Sequence, residues 1–133
     1  MNKIIRVGDV MSEHFTLIDG LITVADALKL MNENNYRALI VNKRNDDDEY
    51  GMVKLSDIAK LVIAKNRAPD RVNVYEIMAK PVVSVPSKMN IRYCARLFDQ
   101  FGLSSAPVID NDKVVGVVSY DHIVMNGLME VYN

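Results

Sequence analysis

The sequence is short of almost everything that marks a specialised chain. It has one cysteine, no tryptophan and four prolines in 133 residues. A lone Cys94 excludes an internal disulfide and fits a reducing compartment. No stretch approaches the roughly 20 apolar residues of a membrane span, and the opening "MNKIIRVGDVM" has no apolar run long enough for a signal peptide. Neither sign of charge is in surplus, with 16 Lys and Arg against 17 Asp and Glu. Nucleic-acid binding through phosphate contacts needs a basic face, so no nucleic-acid partner is expected. There is no glycine-rich phosphate loop, no nucleophile elbow and no nucleophile beside a base. An enzyme is therefore not expected, nor a required cofactor. His14 and His122 lack metal-ligand spacing, so no metal site is expected either. What remains is a soluble, cytoplasmic protein, half of it hydrophobic and able to bury a core.

What the chain does have is an internal repeat. "VGDVM" at 7–11 returns as "VYEIM" at 74–78. Each pentapeptide is followed by a short extended stretch that ends in turn residues, Asp19-Gly20 in one half and Pro86-Ser87 in the other. A helix-period segment comes next. Val24, Ala27, Leu28 and Met31 recur at i, i+3, i+4 and i+7, and Ile91, Cys94, Ala95 and Phe98 repeat that spacing 67 residues on. Thr23 and Asn90 stand where an N-cap belongs. Then "ALIVN" (38–42) matches "APVID" (106–110), and "GMVKLSDI" (51–58) matches "GVVSYDHI" (116–123). The turn between these strands is long and acidic in the first half ("KRNDDDEY", 43–50) and tight in the second ("NDK", 111–113). Ile58, Leu61 and Val62 supply the apolar face of the first closing helix, and Ile123, Val124, Gly127, Leu128 and Val131 that of the second. The order in each half is β–α–β–β–α, with the repeats at 1–66 and 67–133 and a polar linker, "AKNRAPDR", at 64–71. A half of this size is marginal alone. Two copies packing their sheets about a pseudo-twofold axis are expected to complete one core, with each pentapeptide anchoring its segment onto it.

The paired motifs "VGDVM" and "VYEIM", "SAPVID", and "GMVKLSDI" and "GVVSYDHI" resemble a tandem pair of CBS domains, a Bateman module, over essentially the whole chain. The resemblance implies an α+β fold of two packed repeats. It also implies a regulatory module that binds adenine nucleotides or S-adenosyl compounds in clefts between the repeats and acts as a dimer. AMP, ADP, ATP or an S-adenosyl ligand is the expected occupant, and a homodimer with an unidentified regulated partner the expected assembly.

Adenine needs a flat apolar slot with backbone hydrogen bonds. The positions the resemblance points to are Thr16, Leu17 and Ile18 with Tyr36, Arg37 and Ala38 in the first half. In the second they are Val83, Ser84 and Val85 with Ser104, Ser105 and Ala106. A ribose diol suits a carboxylate, which offers two acceptor oxygens. The family places an aspartate six residues after the glycine that opens the last strand, and a hydroxyl residue three after it. The first half has Asp57 but Lys54 in place of the hydroxyl; the second has Ser119 but His122 in place of the aspartate, with Asp121 one residue early. The first half is expected to be the better site, with Asp57 on the ribose and Lys54 and Arg37 near phosphates. Ser56 and Asp57 also sit where a helix N-cap would, and both readings stand. Because neither half carries the complete pair, the alternative is an assembly module with degenerate, non-binding clefts.

Asp46, Asp48, Gly51 and Asp57 fall at calcium-loop spacing, but Tyr50 takes a required ligand position and apolar "MV" follows the glycine, so a solvated hairpin tip is expected. Cys94 on an apolar helix face reads as a core thiol. Met11, Met31, Met78, Met89, Met125 and Met129 read as core or interface filler.

Overall fold

The computed structural model describes residues 3–129. The elements in chain order begin with a short helix α1 (Val7–Val10), strand β1 (Leu17–Ile18), helix α2 (Val24–Asn34) and strands β2 (Ala38–Val41) and β3 (Gly51–Lys54). Helix α3 (Leu55–Ile58) follows and runs on into π-helical Ala59–Ile63. Two 3-10 turns, Pro69–Arg71 and Val74–Glu76, lead to helix α4 (Ile91–Phe101), strands β4 (Ser105–Asp110) and β5 (Lys113–Ser119), and a π-helical segment His122–Leu128.

The chain falls into two compact units. Residues 15–82 form one; the described residues up to 14 join those from 83 onward to form the other. In the first, β1 pairs in parallel with β2, and β2 antiparallel with β3. In the second, β4 pairs antiparallel with β5. The strand expected before α4 is reduced to a single parallel bridge, Val85 to Val108. The Val85 N–H donates to the Pro107 carbonyl at 3.1 Å, and the Ile109 N–H to the Val85 carbonyl at 3.0 Å. Pro86, next to Val85, has no N–H with which to extend the ladder.

Both long helices start as their sequence dictates. Thr23 Oγ1 accepts from the Asp26 N–H at 3.1 Å, and Asn90 Oδ1 from the Arg92 N–H at 2.9 Å. Val24, Ala27 and Met31 are buried on α2, and Ile91, Cys94 and Phe98 on α4. Burial pushes the Cys94 thiol up to about 11, so the group is an unreactive part of the core. The closing helices differ from expectation. Ile58, Val62, Ile123 and Gly127 are buried, but Leu61, Val124 and Leu128 are 39%, 47% and 47% exposed. The i→i+5 bonding of a π turn keeps positions four apart on one face and turns their neighbours away. Val131 lies outside the described residues. Among the methionines, Met31 is buried and Met11, Met78 and Met89 pack half-buried against the clusters, whereas Met125 and Met129 are exposed.

A single shared core was expected; two clusters of buried side chains are found, one in each unit. What the repeats share is their leading segments, which are exchanged. Val72, Val74 and Ile77 pack with Ile18, Val24 and Leu39 of the first repeat, and Ile5, Val7 and Val10 with Val85, Ile91 and Phe98 of the second. The exchange explains the two matched glycines, of which Gly51 opens β3 as expected whereas Gly116 lies within β5, which already begins at Lys113. Ala79 forms a two-bond bridge with Met52, at 2.9 and 3.0 Å, and Ser12 the same bridge with Val117, at 2.9 Å both ways. A Cβ on Gly51 would lie 2.9 Å from Met78 Sδ and 3.2 Å from the Ala79 oxygen. One on Gly116 would lie 2.6 Å from Met11 Sδ and 2.9 Å from the Ser12 oxygen. Only a residue without a side chain lets the backbone come this close.

Val7 and Val74 are fully buried although they sit in one-turn helices of three or four residues. Val7→Ala and Val74→Ala are each expected to lower the free energy of unfolding by about 2 kcal/mol, the lost transfer energy plus a cavity. Urea denaturation measures this; a loss below about 0.5 kcal/mol, the size of a surface substitution, would show that these segments are not core.

Candidate functional site

In the unit 15–82 the expected first-half residues gather at one end of the three-stranded sheet. Ala38 opens β2 and stands opposite Lys54, the last residue of β3. The Thr16 carbonyl accepts from the Ile40 N–H at 3.3 Å, which brings the start of β1 alongside. Ile18 is buried in the core and Tyr36 packs against that core, so neither is a free contact surface. Leu17, Arg37 and Ser56 are exposed.

The two readings of Asp57 meet in its geometry. Asp57 Oδ2 accepts from the Lys54 N–H at 2.9 Å, which is the half of a capping box that reaches back from the first turn of α3; the Lys54 side chain has no acceptor for the other half. The cap therefore exists, and Asp57 rather than Ser56 makes it. It uses one carboxylate oxygen only. Oδ1 has no partner among the described residues, and the bond through Oδ2 fixes where it sits.

In the other unit the same position is built with different chemistry. Ser105, opening β4, stands opposite Ser119, the last residue of β5. The Ser119 N–H donates to His122 Nδ1 at 3.1 Å, and the His122 N–H to Ser119 Oγ at 3.4 Å. His122 thus takes the place of Asp57 in the capping geometry. Because Nδ1 accepts, the neutral ring carries its proton on Nε2. The side chain presents a donor where Asp57 presents an acceptor. Burial lowers the His122 pKa, against a smaller upward pull from Asp121. Val85 and Ala106 are buried, whereas Val83, Ser84, Ser104 and Asp121 are exposed. Ser104 is tied by its carbonyl to the Tyr120 N–H at 3.2 Å.

The calcium-like run resolves into ion pairs. Asp48 binds Lys80 Nζ at 2.8 Å and Arg44 Nε at 3.3 Å. The Lys80 ammonium, with backbone N–H groups adding to it, holds the Asp48 carboxyl far below the usual carboxylate range. Among the described residues no cluster of His, Cys, Asp and Glu is arranged to hold a metal. The motif reading also passed over a cavity of about 320 Å³ in the unit 15–82, lined by Asp19, Gly20, Leu21, Val41, Asn42, Arg44, Tyr75, Met78 and Lys80. The one sequence signal for it is the longer β2–β3 turn of the first repeat.

The family model for the CBS domain matches twice, over residues 7–64 and 74–127. The chain belongs to the CBS-domain family. Its fold is the α+β fold of a CBS pair. The similarity extends to a hexameric CBS-CP12 protein from bloom-forming cyanobacteria, 40% identical over 92% of this chain and 72% of that one, with a TM-score of 0.90. A CBS domain pair crystallised with 5′-methylthioadenosine and S-adenosyl-L-methionine shares the fold at 23% identity and a TM-score of 0.79, over 92% of this chain and 99% of that one. An L-aspartate semialdehyde sulfurtransferase of Methanosarcina acetivorans is 33% identical over 88% of this chain, which matches 23% of that enzyme. The chain spans 23% to 59% of the length of the first curated relatives it matches. Among the described residues no helix is long and apolar enough to cross a membrane.

The Ser119–His122 bond requires a neutral imidazole, which sets the sign of a pH effect. The folded pKa lies below the ordinary 6.5. The stabilisation is therefore complete above that value and is lost as pH falls through the folded one. The thermal midpoint is expected to drop between pH 7.5 and 5 by more in the parent protein than in His122→Asn. Parallel profiles would contradict the assignment.

Proposed function

We propose that the protein is a regulatory ligand-sensing module that binds an adenine nucleotide at the sheet end marked by Ala38, Lys54 and Asp57. The observation that carries this reading is the half-used carboxylate of Asp57. Oδ2 is committed to the Lys54 N–H, and Oδ1 is held in place to accept from a ribose hydroxyl. The backbone at Thr16 and Ala38 supplies the edge on which adenine is recognised, and Lys54 and Arg37 favour a phosphate-bearing ligand over the cationic sulfonium of S-adenosylmethionine. A CBS pair of the same fold holds adenosyl compounds, which supports the ligand class. Binding regulates only if one arrangement of the protein binds better than another.

Calorimetric titration with AMP, ADP, ATP, S-adenosylmethionine and 5′-methylthioadenosine tests the reading. Asp57→Ala is expected to weaken the best of them about tenfold, or about 1.4 kcal/mol, and His122→Ala to weaken it less. Removing Asp57 also removes a cap worth about 1 kcal/mol of stability, so affinity is to be measured well below the melting transition. The reverse ranking would place the site in the other unit.

We further propose that the module acts as a homodimer. The π-helical segment His122–Leu128 and the residue after it expose Val124, Met125, Leu128 and Met129, each 47% or more, beside a groove lined by Ile4, Ile91 and Ala95. Apolar side chains clustered in this way mark an association surface. Leu128→Glu is expected to convert a dimer to a monomer in light scattering while leaving the circular dichroism spectrum unchanged; an unchanged mass would refute it. The second reading is an assembly module that binds no nucleotide. Lys54 and His122, each standing where the family pattern has another residue, favour it, and absence of binding by all five compounds would establish it.

A further inference from the structure

The cavity in the unit 15–82 lies at the far end of the sheet from Asp57. It opens where β1 and β2 finish, past the last ladder bond from the Asn42 N–H to the Ile18 carbonyl at 2.8 Å. Comparison of the two repeats shows why it exists. In both units one of the backbone bonds that dock the leading segment lies here: the Tyr75 N–H to the Gly20 carbonyl at 2.9 Å, and the Gly8 N–H to the Ser87 carbonyl at 2.8 Å. In the second unit the space beyond this bond is bridged. Asp110 accepts from both the Ser87 N–H and the Ser87 hydroxyl. In the first unit Gly20 replaces Ser87 and lacks its hydroxyl, and Asn42 replaces Asp110 and turns its Oδ1 to the Lys43 N–H at 2.9 Å. The bridge is absent and the volume stays open.

What then walls the volume is particular to this repeat. Tyr75, 52% exposed, stands where the other unit has Gly8, and Val41 and Met78 supply apolar surface. The extra residues of the β2–β3 turn bring Arg44 and Asp48, and Asp48 fixes Lys80 at 2.8 Å. One carboxylate thus serves two cations, and the cluster keeps one positive charge. Arg44 meets Asp48 through Nε and its backbone N–H only. Its two terminal nitrogens have no partner among the described residues, and its side chain is 81% exposed. They form the fork that grips a carboxylate in two parallel bonds. Asp19, with Oδ1 on the Leu21 N–H at 2.9 Å, stands on the rim and repels a second negative charge. A volume of about 320 Å³ is at the small end of ligand sites.

We propose that this cavity is a second binding site, for a small amphipathic carboxylate: a ring-sized apolar body against Tyr75, Val41 and Met78, with its one negative charge on Arg44 beside Lys80. A phosphate monoester, near two negative charges at neutral pH, fits the single surplus cation and the Asp19 rim less well. The site is independent of the adenine nucleotide reading and shares none of its residues.

Phenylacetate is a suitable probe, and phenylacetamide, of the same shape without the charge, its control. Titrated into the isotopically labelled full chain, phenylacetate is expected to shift the amide signals of Gly20, Asn42 and Tyr75 in a saturable way. The amide is expected to bind at least about fivefold more weakly, the scale of one charge-assisted contact. Arg44→Gln, at an exposed position, is expected to abolish that difference without altering the spectrum elsewhere. Gly20→Ser, which rebuilds the bridge residue of the other unit, is expected to remove binding of both probes. Equal affinities for acid and amide, shifts centred on other residues, or no saturable shift up to the solubility of sodium phenylacetate would each overturn the proposal. Retained nucleotide binding by Arg44→Gln separates this site from that at Asp57.

Discussion

The structure depends on one close approach made twice: the backbone that follows each leading turn lies against a glycine of a last strand, Gly51 opening β3 and Gly116 within β5. Ser12 bonds Val117 across Gly116, and Ala79 bonds Met52 across Gly51. These contacts stitch each leading segment to strands of the other sequence repeat. Each buried cluster then takes side chains from both repeats, which neither repeat holds in one continuous stretch. The exchange leaves each unit about the size of one repeat; what it supplies is the side chains that complete each core, Val72, Val74 and Ile77 in one and Ile5, Val7 and Val10 in the other. The repeated pentapeptide is the part of each copy that is exchanged. Its first and fourth residues, Val7 and Val10 or Val74 and Ile77, enter the recipient core, and its last, Met11 or Met78, packs half-buried against it.

On this frame the two repeats have diverged at matching points. At one end of each sheet a side chain three residues past the last strand caps the helix that follows. Asp57 does so with one carboxylate oxygen, and His122 with one ring nitrogen. The backbone need is the same, but the atom left over is an acceptor in one case and a donor in the other. At the opposite end Ser87 and Asp110 close a gap that Gly20 and Asn42 leave open. Asymmetry laid over a repeated scaffold gives one chain chemically distinct surfaces.

Much of this was legible in the residues. Periodicity located α2 and α4 with their caps at Thr23 and Asn90, because an apolar stripe and a short polar cap are local properties. The paired strands were legible from their branched residues and the turns between them. The exchange was not, since the pattern of a repeat does not say which copy a segment packs against. Nor were the π-helical turns that leave Leu61, Val124 and Leu128 exposed, because winding there answers to packing rather than propensity. At the candidate site, the resemblance pointed to Asp57, but the bond from the Lys54 N–H that leaves Oδ1 over needed coordinates. The cavity at Gly20 was invisible to motif reading, since it is made by what a glycine lacks and by the partner Asn42 chooses.

The most direct test is to cut the chain at the boundary of the compact unit and, separately, at the boundary of the repeat. Residues 15–82 expressed alone contain both the first repeat's strands and the segment that docks on Gly51; residues 1–66 contain the same strands with the wrong leading segment. Amide proton spectra of the two fragments are expected to show a dispersed, cooperatively melting fold for 15–82 and a collapsed, poorly dispersed one for 1–66. A well-dispersed spectrum from 1–66, with none from 15–82, would contradict the exchange on which the rest is built.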